Sequence, residues 1–177
     1  MKKEKNNKNI NKEKGQSLLE LAVSLVVLLI LLAGVVDFGR IAFYYIALRD
    51  AAQEGASYGS IFPNDNYQIF ERTKAGIVDQ SAIEVITVRF LSSAGTQKYS
   101  CTWNYGDDPE DACFSSWDTC GEEDLTEPII VGDVIEITIS DQDFPITMPL
   151  LGTYLGRQDI VLETTIKDKI IRVPECE

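Results

Sequence analysis

The chain has 177 residues, a formal net charge of −12 and no histidine, a size that holds one anchoring element and one domain but not two large domains. Without histidine, neither a Ser-His nor a Cys-His catalytic arrangement can be built. The charge is divided, because residues 1–14 carry six lysines and two glutamates, a local +4 that leaves −16 on everything after them. An acidic chain with no basic stripe beyond those lysines is repelled by phosphates, which argues against a nucleic-acid partner.

Residues 1–14, MKKEKNNKNINKEK, are polar and low in complexity with no apolar face to bury, so they read as a disordered cytoplasmic leader. Leu21 to Val36 then contains no charged residue. Adding Gln16 to Glu20 gives a helix of about 31 Å at 1.5 Å per residue, a match to the hydrocarbon thickness of a bilayer. Lysines before the run and acid after it predict a cytoplasmic amino end and an exported remainder. A cleaved secretory signal has a shorter apolar core and a small-residue cleavage site, whereas an uncleaved signal anchor remains as an alternative reading.

The helical pattern continues past the span with no proline before Pro63, which predicts one long helix over about Gln16 to Tyr58. Phe38, Phe43, Tyr44 and Tyr45 stand where an aromatic belt at the membrane surface is expected. Asp37 and Arg40 lie three apart on one helical face and form a candidate membrane-interface pair. Ala47, Ala51, Gly55 and Gly59 recur every four residues, a stripe expected to lie under the chain's own sheet with some of it left for subunit contacts.

Residues 61–66, IFPNDN, break this helix and cap a second over about Tyr67 to Gln80, with Phe70, Ile77 and Val78 as its buried face. The period then changes to two. Strands are predicted over about Ala82 to Ser92, Val134 to Ser140 and within Asp159 to Val173, with a further candidate at Gln97 to Asn104. Strands following helices without regular βαβ alternation indicate an α+β fold with an antiparallel sheet.

Four cysteines, Cys101, Cys113, Cys120 and Cys176, all fall in the exported part, which favours disulfides over metal or redox chemistry. The connectivity stays open, with Cys113 to Cys120 and Cys101 to Cys176 as the expected pairs. Asp107, Asp108, Glu110, Asp111, Asp118, Glu122, Glu123 and Asp124 crowd the loop between and around the cysteines. Oxygen ligands at that density could hold Ca²⁺, and an anchored surface module binding Ca²⁺ or a ligand through this insert is the rival functional reading. The spacing is not that of an EF-hand, however, and a solvated acidic loop with no cofactor is the expectation. No P-loop, dinucleotide-binding or nucleophile-elbow pattern occurs, and an exported hydrolase using carboxylates is the weakest reading.

Lysines, then Gly15, then Gln16-Ser17-Leu18-Leu19-Glu20, then an unbroken apolar helix together resemble a class III, type IV prepilin signal. That resemblance implies cutting by a prepilin peptidase after Gly15, a new amino terminus at Gln16, and Glu20 retained to offset the α-amine of its own or a neighbouring subunit. The alternative for Glu20 is a side chain that merely snorkels to the interface. Asp37-Phe38-Gly39-Arg40 and Ala51-Ala52-Gln53-Glu54-Gly55-Ala56 further resemble the TadE-like pseudopilins of tight-adherence, Flp-type pili, and GDVIEITIS, FPITMPLLG and the last strand are similar to that family's exported half. Leu21 stands where these pilins often carry an aromatic, and the resemblance does not extend to the cysteine-rich acidic insert of about 99–127.

The resemblance implies a non-enzymatic minor pilin with three parts: a leader over 1–15, a transmembrane and extended helix over 16–60, and an exported domain over 61–177. It would sit single-pass in the cytoplasmic membrane. Its implied partners are the peptidase, other pilins, a platform protein and an assembly ATPase.

Overall fold

In a computed structural model, the described residues are 7–77, 85–104, 106, 128–146, 156 and 159–173. Helix α1 runs from Asn7 to Gly59 and α2 from Asn66 to Ala75. Strands β1 (Val85–Leu91), β2 (Gln97–Asn104), β3 (Val134–Pro145) and β4 (Asp159–Lys169) form one antiparallel sheet in the order β2-β1-β3-β4. The α+β expectation therefore holds. One difference lies at the amino end, where α1 begins at Asn7 although this stretch reads as disordered from composition. Extending an existing helix fixes one residue per added bond and avoids the costly nucleus, and no proline interrupts residues 7–14.

Alternation along the strands creates two unlike faces. Ile86, Val88 and Phe90 on β1, Cys101 and Trp103 on β2, and Ile135, Ile137 and Ile139 on β3 point into one core with Leu162 of β4. This core is closed by Leu48, Ala51, Ala52 and Ala56 of α1 and by Ile69 and Phe70 of α2. Phe70 and Ile77 are buried as the sequence suggests, whereas Val78 lies outside the described residues. Ile69 and Thr73 are also buried. The Thr73 hydroxyl donates to the Ile69 carbonyl at 2.7 Å, so a polar side chain enters the core without an orphaned group.

Helix α1 approaches closely because its stripe lacks side chains. A Cβ added at Gly55 would collide with Thr73 and Ile137, and one added at Gly59 would collide with Ile135 and Ile69. The stripe is thus used within the subunit, under its own helix and sheet. After α1, Asp65 caps α2 by accepting from the Gln68 amide at 3.1 Å, while its other oxygen accepts from the Tyr58 hydroxyl at 2.9 Å. The end of α1 is thereby tied to the start of α2.

Strand β3 is longer than expected because it continues through an irregularity between Asp141 and Phe144. The Asp141 carboxylate accepts from the Asp143 amide at 3.1 Å across this bulge, and pairing with β4 resumes at Phe144. At the other end of the strand, Lys98 donates to Asp133 at 2.9 Å and to the Pro128 carbonyl at 2.8 Å. Both charges are almost wholly buried, at 7% and 2% side-chain exposure. Burial of a pair is tolerated only when the remaining hydrogen-bonding capacity is met, and the Ile130 amide supplies Asp133 with a second donor at 2.9 Å.

Two glycines of α1 should respond to alanine with opposite sign. Gly55→Ala should lower stability by about 1–3 kcal/mol through overpacking against Thr73 and Ile137. A Cβ at Gly39 meets nothing within 4 Å, so Gly39→Ala should be neutral or stabilising by up to ~1 kcal/mol from helix propensity. Denaturant unfolding of the detergent-solubilised chain, followed by tryptophan fluorescence, measures both.

Candidate membrane-anchoring and assembly site

The apolar part of α1 is bare. The segment from Gln16 has a mean hydropathy of 2.8 in its most apolar window, and none of that window is buried within the chain. From Leu18 to Val36, thirteen large aliphatic side chains are more than half exposed. Each is worth roughly 1.5–3 kcal/mol when taken out of water, so this surface requires lipid or other helices around it. Gly15, Gln16 and Glu20 lie on the same continuous helix, and Glu20 is about 7.5 Å along the axis from Gly15. From Gln16 onward, no cation among the described residues pairs with the exposed Glu20.

One residue beyond Val36 the helix changes environment. Asp37 is 7% exposed, and the Arg40 guanidinium lies 3.8 Å from its carboxylate. Ile41 and Tyr44 pack against the domain core. The contact is made by Phe144, just past the β3 bulge, whose ring centroid lies 5.0 Å from that of Tyr44 and 5.6 Å from the Arg40 guanidinium carbon. Such tilted aromatic and cation-π contacts have defined geometry and fix where the domain meets the helix.

The aromatic belt anticipated from the sequence is therefore split. Phe38 and Phe43 are exposed at 73% and 67% and remain available to an interface, but Tyr44 faces the domain. The period of the helix separates them. Tyr44 follows Arg40 by one turn on the domain-facing side, and Phe144 is too distant in sequence for periodicity to reveal.

Cys101 is buried on β2 and disulfide-bonded. Cys113, Cys120 and Cys176, together with the whole acidic run from Asp107 to Asp124, lie outside the described residues. Among the described residues no group of His, Cys, Asp or Glu is placed to hold a metal ion.

These features define a chain with one amino-terminal apolar helix suited to single-pass anchoring, carrying an α+β domain directly at the end of its span. The family model of TadE-like proteins matches residues 15–57, from the glycine before the span to the last turn of α1. The match ends before α2, so the likeness noted for the strands lies outside it. No curated protein and no solved structure matches the chain.

Phe144→Ala should release the domain from the foot of the helix and cost about 3 kcal/mol. Hydrogen exchange in micelles should speed up at residues 40–46. Phe43→Ala, which removes a similar ring from the exposed side, should stay within about 0.5 kcal/mol of the unaltered chain.

Proposed function

We propose that the chain is a minor pilin or pseudopilin of a tight-adherence, type IV pilus system, cut by a prepilin peptidase after Gly15. The mature protein would be held in the cytoplasmic membrane by residues 16–36 with its domain outside, and recruited by other pilins through a platform protein and an ATPase. The observation that carries this reading is the place where the TadE-like match begins. It starts at Gly15 and follows the helix whose apolar half is unburied and whose other half carries the domain.

The helix supplies a physical reason for the glycine. Gly15 lies within α1, between the lysine-rich start and the span, and glycine is about 1 kcal/mol less favourable than alanine in a helix interior. A glycine at the proposed cut lowers the cost of opening the helix there for the peptidase. Cutting leaves a cationic α-amine at Gln16. Glu20, exposed and without a cation among the described residues from Gln16 onward, is placed to offset that amine or the one on an adjacent subunit.

Co-expression with the peptidase should yield a membrane protein whose mass corresponds to residues 16–177. Gly15→Val should retain the leader. Glu20→Gln should be cut and stay in the membrane, because losing a charge eases insertion, but should no longer co-purify with pilus components. A mature amino terminus other than Gln16 would overturn the assignment of the cut, and normal assembly of Glu20→Gln would remove the charge-offset role.

The cysteines form the oxidised half of the reading. Protein isolated without reductant should carry two disulfides, Cys113 to Cys120 and Cys101 to Cys176. Non-reducing peptide mapping measures this, and a free thiol on Cys101 would contradict it. Loss of one bond should lower stability by ~2–4 kcal/mol.

A further inference from the structure

Among the described residues, the centre of the sheet face turned away from α1 is polar. Register places Thr102, Thr87, Thr138 and Thr165 side by side across all four strands. Their hydroxyls meet in pairs, Thr87 with Thr102 at 3.3 Å and Thr138 with Thr165 at 3.0 Å. Two residues along, a charged row crosses the same strands, in which Glu136 of β3 takes Arg89 of β1 at 2.8 Å and Lys167 of β4 at 2.5 Å. These cross-strand pairs hold the side chains of the face in set positions.

Across the threonine row, from Val85 and Ser140 on one side to Arg89 and Ser100 on the other, lies an open groove of about 380 Å³. The hydroxyls of Thr87, Ser100, Thr138 and Ser140 line it, with the amides of Gln97 and Gln142 at its sides. Arg89 and Glu163 add one charge of each sign. The bulge after Asp141 coincides with Gln142, which is exposed toward the groove. Arg89 is incompletely used, since its Nε is shielded from solvent and has no acceptor among the described residues. An orphaned buried donor costs about 1–3 kcal/mol, so an acceptor entering the groove would gain from pairing with this guanidinium after a small side-chain shift.

We propose that this groove binds a polyhydroxylated ligand, one or two sugar units of a surface glycan. Alternating hydroxyl, amide and charged groups supply donors and acceptors at short intervals, which is what a ring of sugar hydroxyls requires. An apolar ligand would leave these groups unpaired, and a simple anion would face Glu163 and leave most of the hydroxyls unused. No aromatic ring is among the described lining residues, so a sugar gains no stacking and single-site binding is weak, with Kd on the order of 1 mM. The inference is independent of how the chain is processed or assembled.

The test uses the full chain in a detergent without a sugar headgroup, lauryldimethylamine oxide. Saturation-transfer NMR is recorded with lactose, cellobiose and N,N′-diacetylchitobiose, and with sulfate as a separate arm read by methyl shifts of Thr87, Thr138 and Val85. At least one disaccharide should give a transfer signal and shift those methyls. Thr138→Val should weaken that binding about tenfold. Arg89→Lys, which keeps a cation for Glu136 but deletes Nε, should also weaken it, whereas Phe43→Ala, on the exposed side of α1 and away from the sheet face, should not. No signal with any of the three sugars overturns the proposal, and so does a response to sulfate alone or equal binding by all three variants.

Discussion

Helix α1 has to satisfy two environments in series, and the abrupt change between them constrains everything else in the chain. From Leu21 to Val36 it carries no charged residue and none of its side chains is buried in the domain. From Asp37 onward one side is drawn into a protein core, while the other exposes Phe38, Phe43 and Ile46 first and turns polar at Arg49, Asp50, Gln53 and Glu54. No flexible joint separates the halves, because the helix is continuous from one to the other. The domain is an outgrowth of the anchor and cannot be cut away at residue 60 without losing Leu48, Ala51, Ala52 and Ala56 from its core.

The sheet answers the same constraint. The distal half of α1 approaches the sheet through alanine and glycine. The isoleucines of β3 supply the bulk instead, filling the space that a side chain at Gly55 or Gly59 would occupy. Specificity of packing is thus divided, with small residues on the helix and branched ones on the strand.

Much of this was legible from the chain alone, and the reason is period. The span, the long helix, the capped second helix and all four strands declare themselves through local repeats of hydrophobicity, and the α1 stripe shows its close approach through regular spacing. Three things could not be read. Helix at residues 7–14 follows from its neighbour and not from its own composition. Lys98 and Asp133 stand thirty-five residues apart, and their burial as a pair depends on the turn before β3 meeting the start of β2. The polar groove is built from four strands, each contributing isolated polar residues that look like ordinary solvent-facing positions until the register aligns them.

At the far end of α1 the carboxy-terminal segment returns, and the Ser60 carbonyl accepts from the Ile171 amide at 3.0 Å. At the near end, Phe144 rests on Tyr44. These fastenings are about 24 Å apart along the helix axis, a long lever arm for a domain of this size. A sideways force on the domain is therefore met as a couple at two separated points and is passed to the helix as torque. Tilting the domain requires tilting the helix, so the angle at which residues 16–36 cross a bilayer, or lean on neighbouring helices, sets the direction in which the sheet's open face points.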